Sequence, residues 1–339
     1  MLRAGVIGLG VGEQHANTYA EHPAVEVVAL CDLDPDRLSE IGERHPGARA
    51  AESAEALIDD PAIDVVSIAS YDSHHHAQVM RAIERGKHVF VEKPLCQYEH
   101  EAREIHAALR ERPELVLSSN LPLRMSPRFQ WLREQIAAGG LGRVYYLEGD
   151  YDYGRLWKIV EGWRGQLDFY SVTLGGALHV IDLLLWLTGD RVVSVTARGT
   201  QIASAGSQFR FDDLVLATLE LESGALAKVS ANFGCVHPHF HGVKVFGTEA
   251  TFINGLDHGT LWTGSDDAPA AQRVEAAYPG VAKGALIPSF IEAVLGRGPA
   301  VVSADEVFTA MSVCFAIDRA TATSETVEPQ PFAELAQRE

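Results

Sequence analysis

Residues 2–33 constrain the fold most strongly, because they read as a strand, a turn, a helix and a second strand in close succession. Three glycines stand in the turn: Gly8, Gly10 and Gly12. Glycine lets the backbone turn tightly and approach a pyrophosphate, which then lies at the positive end of the following helix. Asp32 ends the second apolar run about twenty residues beyond the turn, where a carboxylate can accept hydrogen bonds from an adenosine ribose. The stretch therefore predicts a dinucleotide-binding site, with a ligand-free βαβ turn as the alternative.

The glycine pattern departs from the full dinucleotide fingerprint at one position, since Glu13 stands where the fingerprint has glycine or alanine. Asp32 also bears on the choice of cofactor, because a carboxylate repels the 2′-phosphate of NADP. The first cation after it is Arg37, the residue that would have to compensate. We therefore predict NAD as the cofactor, with NADP less favoured.

The composition is typical of a globular protein and excludes several classes of partner. The 339 residues are 47% hydrophobic, and no apolar run approaches the roughly eighteen residues that span a bilayer. Asp and Glu (46) outnumber Lys and Arg (28), and a net charge of −18 repels nucleic acid. The four cysteines are scattered, without the spacing of a metal site or a disulfide framework. We therefore expect a cytoplasmic protein that binds neither nucleic acid nor membranes.

Apolar runs and helical segments alternate along the first part of the chain. Residues 64–69 (DVVSIA) are continuously apolar, as expected for a parallel strand that is covered on both faces. This alternation predicts an α/β Rossmann domain with a doubly wound parallel sheet over residues 1–121. Over residues 122–339, long alternating strands such as 143–153 predict an α+β domain with a large, mostly antiparallel sheet. The break between the domains is expected near residues 119–124.

Lys93 is a candidate catalytic residue on chemical grounds. It follows the predicted strand 88–91, at the carboxyl end of a parallel strand, which is the edge where α/β sheets bind ligands. Its ammonium group can donate a hydrogen bond to a reacting oxygen and stabilise charge that develops there. Pro94 follows directly, so the Lys93–Pro94 peptide bond is a candidate for the cis isomer. A surface lysine beside a structural turn is the alternative.

His179 is the candidate proton acceptor. It lies on a predicted amphipathic helix over residues 174–187, where it shares a face with Asp182 and Leu183. Imidazole titrates near neutral pH, which suits the removal of a hydroxyl proton while hydride leaves the same carbon. A buried histidine with a structural role is the alternative.

Two groups of histidines raise the question of a metal ion. His74, His75 and His76 are adjacent, and neighbours in sequence rarely converge on one ion, so His74 and His76 are expected to be solvated. The other three alternate along the chain: His237, His239 and His241. One face of a strand would carry all three, either as a metal or substrate site or, as we prefer, as an exposed polar face. No metal site is predicted.

Several motifs, in order over almost the whole chain, resemble one known family. They are VIGLGVGEQH, CDLDPDRL, GKHVFVEKPL, LPLRMSPRF, GGLGRVYYLEGDY, GGALHVIDLLLWLTG, DDLVLATLELESGALA and KVFGTEATF. Together they resemble the glucose–fructose oxidoreductase / inositol dehydrogenase (Gfo/Idh/MocA) family, and Glu-Lys-Pro after a strand is the most specific of them. The resemblance implies a nicotinamide cofactor and a C-terminal sheet domain that often builds oligomers. It also implies oxidation or reduction of a secondary alcohol on a sugar, a cyclitol or a similar polyol.

The residue chemistry and the resemblance together suggest roles for individual residues. The expected catalytic residues are Lys93, His179 and Asp182. The expected cofactor-binding residues are Gly8, Gly10, Val11, Gly12, Asp32, Arg37, Ser70, His75, Glu92 and Lys93. The expected substrate-binding residues are Arg124, Tyr153, Trp163 and Arg164. Of these, the aromatic rings and Arg164 could stack on and hydrogen-bond a polyol or acidic sugar, with packing in the core as the alternative.

The sequence departs from the family pattern beside the candidate base. The pattern places an aspartate four residues before the histidine, and this chain has Gly175 there. Asp182, Asp168 or Asp152 could orient His179 instead, and the sequence does not choose among them.

The leading hypothesis is therefore an NAD-dependent dehydrogenase that acts on a small polyol or sugar. One alternative is a glycosidase-like enzyme that uses bound NAD for transient oxidation, and another is a non-catalytic, nucleotide-bound sensor. We also expect a homodimer or homotetramer, formed through the exposed face of the second domain's sheet.

Overall fold

The computed structural model describes residues 1–264, 268–278 and 282–332. The chain divides into two compact units. The first comprises Met1–Pro122 and Ala282–Thr309, and the second comprises Leu123–Val281 and Ala310–Arg338 in their described parts.

The first unit contains a parallel sheet built by the predicted alternation of strands and helices. Its described strands are β1 (Leu2–Ile7), β2 (Val25–Cys31), β3 (Arg49–Ala50), β4 (Val65–Ile68), β5 (His88–Val91) and β6 (Leu117–Ser119). Among these residues the sheet has the order β3-β2-β1-β4-β5-β6, and every pair is parallel. All residues of β4 are buried, as a strand covered on both faces requires. The predicted doubly wound Rossmann sheet is confirmed.

The helices that follow the first five strands include two that begin at a clear side-chain cap. The helices are α1 (Gly12–Glu21), α2 (Pro35–Arg44), α3 (Ala54–Ile58), α4 (His75–Glu84) and α5 (Glu99–Arg110). Asp34 accepts hydrogen bonds from the backbone N–H groups of Asp36 and Arg37 at 3.1 and 3.2 Å, and Pro35 occupies the first turn of α2. Ser53 caps α3 in the same way, through the N–H of Ala56 at 3.1 Å.

The second unit contains a large sheet that is antiparallel except at one pair. Its described strands are β7 (Val144–Asp152), β8 (Val192–Thr200), β9 (Leu214–Leu221), β10 (Leu226–Asn232), β11 (Phe240–Gly247), β12 (Ala250–Asn254), β13 (Gly259–Thr263) and β14 (Ala270–Val274). Their order is β14-β13-β12-β11-β7-β10-β9-β8, with only β7 and β10 parallel in this described set. This arrangement confirms the predicted α+β architecture.

Helices cover one face of this sheet. Three described helices lie wholly within the second unit: α6 (Pro127–Ala137), α7 (Trp157–Val160) and α8 (Leu178–Thr188). A Cβ atom at Gly149 of β7 would lie 3.1 Å from Leu184 and 3.2 Å from Val180, so the missing side chain lets α8 approach the sheet closely. Alternate residues of β7 are buried beneath this helix, and the others lie on the opposite face.

The predicted single amphipathic helix over residues 174–187 is wrong in two respects. Its beginning is a π-helical segment, Thr173–Ala177, which leads directly into α8. Most residues of α8 are buried, polar ones included, because the helix packs against both β7 and α6. A π-helical turn depends on local packing rather than on hydrophobic period, so the sequence pattern did not reveal it.

Two further helices lie in the last part of the chain: α9 (Ile287–Val294) and α10 (Ala304–Thr323). A capping box begins α10, since the N–H of Ser303 donates to Glu306 at 2.9 Å and the N–H of Glu306 donates to Ser303 Oγ at 3.3 Å. Phe290 of α9 packs against Phe90 of β5 with ring centroids 5.5 Å apart. Residues 282–309 therefore belong to the first unit, in contrast to a division of the chain into 1–121 and 122–339.

None of the described helices is long and apolar enough to cross a lipid bilayer.

Candidate active site

The glycine turn lies at the carboxyl end of β1. Gly8 has a φ of +83°, a conformation that side-chain-bearing residues rarely adopt, and its N–H donates to Cys31 O at 2.8 Å. A Cβ atom at Gly8 would collide with the carbonyl group of Ala69. Only glycine therefore allows the turn to lie between the ends of β1, β2 and β4.

Gly12 fulfils the role that the fingerprint gives to a glycine one position later. It begins α1, and a Cβ atom there would lie 3.0 Å from Cγ1 of Val6, so its absence permits close packing of helix on strand. Glu13 points outwards and forms an ion pair with Arg44. The close packing of α1 on β1 therefore occurs at Gly12, so a glycine is not needed at position 13.

Asp32 is held in place by backbone donors. Its Oδ2 accepts a hydrogen bond from the N–H of Leu9, and its Oδ1 accepts one from the N–H of Asp34 at 2.8 Å. Each carboxylate oxygen keeps a second lone pair for a ribose hydroxyl. Arg37 lies nearby, since its Nη1 is 3.2 Å from the position of a Cβ atom at Gly10. The open turn, the N-terminus of α1 and the fixed carboxylate fit the diphosphate and adenosine ribose of NAD.

A buried polar chain that the sequence analysis missed supports the end of β5. His15 is fully buried, with Nδ1 2.9 Å from Ser67 Oγ and Nε2 3.4 Å from Oε1 of Glu92. Asn120 donates from Nδ2 to the same Glu92 oxygen at 2.6 Å and to Lys283 O at 2.9 Å. The inward spacing of Gly12, His15, Ala16 and Tyr19 on α1 is the signal that could have identified His15.

Glu92 is ionised among these buried polar side chains. Burial by itself raises the pKa of its carboxyl group, but the His15 ring, the Lys283 ammonium and the Asn120 amide together hold that pKa at about 2. The buried contacts of Glu92 therefore hold the backbone directly before Lys93. The expected contact of Glu92 with the cofactor stays a prediction.

His75 connects the loops that follow β4 and β5. The buried ring places Nδ1 2.6 Å from Pro94 O and Nε2 3.2 Å from Ser70 O. Ser70 itself donates from Oγ to Gln78 at 2.7 Å. The Lys93–Pro94 peptide bond is cis, as expected, and Lys93 is partly exposed. His75 thus fixes the backbone on both sides of the edge where Lys93 emerges.

Of His74 and His76, which were both expected to be solvated, only His76 differs from the expectation. His74 is exposed, whereas His76 is partly buried and places Nε2 2.9 Å from Oε2 of Glu104. Adjacent residues on a helix point in different directions, which separates the three rings. In the described part of the chain, no group of three His, Cys, Asp or Glu side chains is placed to hold a metal ion.

In the second unit, His179 lies in the first turn of α8 and is buried among aromatic rings. Its ring centroid is 6.0 Å from that of Tyr151 and 5.8 Å from that of His241. Tyr153 stacks on Tyr151 at 5.9 Å, and His239 contacts both His241 and Tyr151. We call these five residues the His179 cluster. It combines polar atoms that can bind hydroxyl groups with ring faces that can pack on a sugar.

Tyr278 holds the ring of His241 in place. Tyr278 Oη accepts a hydrogen bond from the backbone N–H of His241 at 2.9 Å and lies 2.7 Å from its Nδ1. The Tyr278 hydroxyl group thus contacts both the backbone and the ring of His241, which fixes the orientation of the imidazole. Burial also raises the pKa of Tyr278, which keeps the hydroxyl protonated. Tyr278 is a second residue that the sequence analysis missed.

The preferred interpretation of the alternating histidines, an exposed polar face, is wrong. His241 is buried and belongs to the His179 cluster with His239, whereas His237 is exposed and contacts the carbonyl group of Pro238. Strand β11 begins only at Phe240, so residues 237–239 do not follow the alternation of a strand. Sequence spacing alone could not locate the start of that strand.

Arg124 and Asp182 form a buried ion pair. The guanidinium donates from Nε to Oδ2 at 3.0 Å and from Nη2 to Oδ1 at 2.5 Å, and the side chains are only 2% and 1% exposed. Arg124 also lies 6.0 Å from the Trp186 ring. These contacts give Arg124 and Asp182 a shared structural role, while their expected roles with substrate and with His179 stay predictions.

The other candidates for orienting His179 lie elsewhere in the second unit. Asp168 is fully exposed and pairs with Arg210 at 3.6 Å. Asp152 follows Tyr151 in β7, so the two side chains point to opposite faces of the sheet. Neither aspartate takes the place of the family residue that Gly175 replaces.

A different aspartate supports the start of the π-helical segment. Asp318 of α10 accepts a hydrogen bond from Ser171 Oγ at 3.0 Å, and Ser171 Oγ in turn accepts from the N–H of Leu174 at 3.1 Å. Burial raises the pKa of Asp318 to about 6, against the opposing effect of its hydroxyl partners. Asp318 lies more than a hundred residues from Gly175 in sequence, which is why no motif identified it.

The family models identify the chain. One, described as an oxidoreductase family with an NAD-binding Rossmann fold, matches residues 2–120. Another, described as the GFO/IDH/MocA C-terminal domain, matches residues 129–253. The chain belongs to the Gfo/Idh/MocA family. Its first unit is accordingly an NAD-binding Rossmann domain, and the expected family, fold and cofactor are confirmed.

Relatives within the Gfo/Idh/MocA family include dehydrogenases of cyclitols and sugars. The scyllo-inositol 2-dehydrogenase (NAD(+)) of Bacillus subtilis is 27% identical over 76% of this chain and 75% of its own. The structure of myo-inositol 2-dehydrogenase from Lactobacillus plantarum covers 97% of this chain and 99% of its own at 22% identity, with a TM-score of 0.82. A levoglucosan dehydrogenase in complex with NADH and levoglucosan covers the same shares at 23% identity, with a TM-score of 0.80. The chain is therefore an oxidoreductase of a sugar- and inositol-dehydrogenase family.

Proposed function

We propose that this protein is an NAD-dependent dehydrogenase that oxidises a secondary alcohol of a sugar, a cyclitol or a sugar derivative. The observation that carries the proposal is the His179 cluster, because a buried imidazole there is surrounded by rings and hydroxyl groups suited to a polyol. The inositol and levoglucosan dehydrogenases among its relatives act on compounds of this class.

The proposed chemistry assigns a separate task to each catalytic residue. His179 removes the hydroxyl proton, for which a neutral imidazole is a suitable base. Lys93 donates a hydrogen bond to the same oxygen and stabilises the charge that develops on it. Bound NAD supplies the hydride acceptor. Tyr151, Tyr153 and His241 provide the polar and aromatic surface that orients the polyol.

The test combines a substrate screen with two variants. NADH formation is measured with a panel of sugars and cyclitols, and NAD affinity is measured by titration. His179→Ala should lower kcat by about 10² to 10⁴ and Lys93→Ala by about 10² to 10³, while NAD affinity stays nearly unchanged. Near-normal turnover of Lys93→Ala on the best substrate would show that the mechanism is wrong.

A matched control tests whether the loss of activity is specific to the position that is changed. His100→Ala removes an imidazole from α5 of the first unit, where it is exposed and stacks on Tyr98 at 5.6 Å. It should retain full activity. Lys93→Arg keeps the charge but not the compact ammonium, so partial activity is expected from it.

We also propose that the uncovered face of the second unit's sheet joins copies of the chain into a homodimer or homotetramer. Tyr146 and Phe246 stack there at 5.3 Å, and Leu216, Leu226 and Trp262 are exposed among the described strands. Apolar side chains in such number on one face are typical of an interface.

A further inference from the structure

The segment after β7 concentrates positive charge in a chain whose net charge is −18. Residues 155–164 contain Arg155, Lys158 and Arg164, and their only carboxylate is Glu161, which is exposed. The segment includes α7 and the beginning of a 3₁₀ turn, Trp163–Gln166. Clustered cations inside an acidic protein reverse the local field and attract anions.

Each of the three cations lies against an aromatic ring. The guanidinium carbon of Arg155 is 5.7 Å from the ring centroid of Tyr153, and that of Arg164 is 4.4 Å from Trp163. The ammonium group of Lys158 is 5.4 Å from Trp157. Such contacts direct the charged groups and reduce their freedom, so they are partly organised before any ligand binds.

The cations are also close enough to act on one another. Burial lowers the pKa of Lys158, and its charged neighbours Arg155 and Arg164 lower it further. Neither Arg155 nor Lys158 has a carboxylate within 4.0 Å among the described residues. Their mutual repulsion is a cost that an anionic ligand would relieve.

This group of cations adjoins the His179 cluster. Tyr153, on which Arg155 lies, stacks on Tyr151, and Tyr151 stacks on His179. Arg164 and Arg155 both act electrostatically on the Tyr151 hydroxyl group. The cations therefore lie beside the aromatic rings that pack around His179.

We propose that Arg155, Lys158 and Arg164 form an oxyanion-binding subsite, and that the preferred substrate is a polyol bearing one anionic group. The anion is either a carboxylate, as in a sugar acid, or a phosphate monoester, since both present oxygens to guanidinium forks. This inference rests on the proposed dehydrogenase function and names its substrate class. Neutral sugars and cyclitols become the poorer substrates.

The first experiment compares matched neutral and anionic polyols with the intact protein and NAD. Glucose is paired with gluconate, glucuronate and glucose 6-phosphate, and kcat/KM is measured for each from NADH formation. One class of anion should exceed glucose by about tenfold or more, mainly through KM. The carboxylate and phosphate arms identify which anion is preferred. Equal or better turnover of the neutral partners would overturn the proposal.

The second experiment removes the charges. Arg155→Gln and Lys158→Gln should each raise KM for the anionic substrate about tenfold, with little change in kcat or in KM for neutral polyols. Added salt should raise the same KM in the parent protein and less in the variants. Arg191→Gln is the control, because Arg191 is exposed and pairs with Glu222 elsewhere in the second unit. A parallel loss on neutral and anionic substrates would indicate a structural role instead.

Failure of the substrate proposal can be distinguished from failure of the function. Binding of gluconate, glucuronate and glucose 6-phosphate is measured by calorimetry in the presence of NAD, without reliance on turnover. Anion binding that is lost in Arg155→Gln, without NADH formation, would support the subsite and contradict the dehydrogenase proposal. Turnover of neutral polyols without measurable anion binding would do the opposite.

Discussion

The hydroxyl group of Tyr170 occupies the place that a side chain at position 175 would take. A Cβ atom on Gly175 would approach this hydroxyl more closely than the 3.0 Å that real Cβ atoms keep. Tyr170 is buried and packs edge-to-face against Phe209 and Phe233 at 5.9 and 6.1 Å, so it cannot easily move away. The aspartate of the family pattern is therefore excluded here by packing, and the glycine and the tyrosine belong together.

The first prediction concerns this pair. Gly175→Ala should lower the free energy of unfolding by about 1–3 kcal/mol, because a methyl group must displace a fixed ring. The same substitution in a Tyr170→Ala background should cost less, with a coupling energy of about 0.5 kcal/mol or more in chemical denaturation. Additive effects of the two substitutions would contradict the contact. Gly42→Ala is the matched control, since Gly42, like Gly175, does not have a positive φ and nothing lies within 4 Å of a Cβ atom there.

The buried pair of Arg124 and Asp182 should govern stability. Asp182→Asn leaves a guanidinium buried without its counter-charge and should cost about 3–5 kcal/mol. Replacing both partners, as Arg124→Met with Asp182→Leu, should restore most of that loss, because no uncompensated charge remains. Thermal and urea unfolding measure both. If Arg124→Met instead left stability intact and raised KM for the substrate, Arg124 would be a substrate ligand.

Asp318 should make stability depend on pH in an unusual direction. Its folded-state pKa, about 6, lies above that of an exposed aspartate, so the folded chain holds the proton more tightly than the unfolded chain. The free energy of unfolding should therefore fall as pH rises from about 4 to 6, by up to about 3 kcal/mol, and this contribution should then level off.

Asp318→Asn should remove that pH dependence, because the amide keeps an acceptor for Ser171 but does not ionise. In urea denaturation from pH 4 to pH 8, the variant should be more stable than the parent protein near pH 8. Asp168→Asn is the matched control, since Asp168 is exposed and should change little. A variant that loses stability equally at every pH would show that the carboxyl group is not the source.

The choice of cofactor should depend on Asp32. Asp32→Asn should weaken NAD binding by about tenfold, because the carboxylate that accepts hydrogen bonds from the ribose is lost. It should also reduce the discrimination against NADP, because the charge that repels the 2′-phosphate is removed. Arg37→Gln should affect NADP and leave NAD nearly unchanged. Titration of both cofactors measures these effects, with Asp36→Asn in the first turn of α2 as the control. Tighter binding of NADP than NAD by the parent protein would contradict the prediction.

The uncovered sheet face should hold copies of the chain together. Light scattering at micromolar concentration should give a mass of two or four times 36.8 kDa. Combining Leu216→Glu with Leu226→Glu should shift it towards one chain, since charges placed inside an apolar interface are costly. Val236→Glu adds the same charge at an exposed loop position and should not. A single-chain mass for the parent protein would rule this interface out.

Local sequence determined much of the first unit. The glycine turn, Asp32 and the caps at Asp34 and Ser53 act over a few residues, so their outcomes could be predicted from spacing and residue type alone. The cis Lys93–Pro94 bond and the capping box at Ser303 belong to the same group. Each of these features depends on the preferred conformation of a short segment, and that preference does not depend on how the rest of the chain packs.

Only the tertiary structure decided what surrounds those elements. His15 meets Glu92, and Ser171 meets Asp318, through contacts that join residues far apart in the sequence. The pairing of Arg124 with Asp182 depends in the same way on burial of both side chains at one place. Hydrophobic period indicates that a residue is buried but not which partner it meets there, because the partner is set by how whole elements pack.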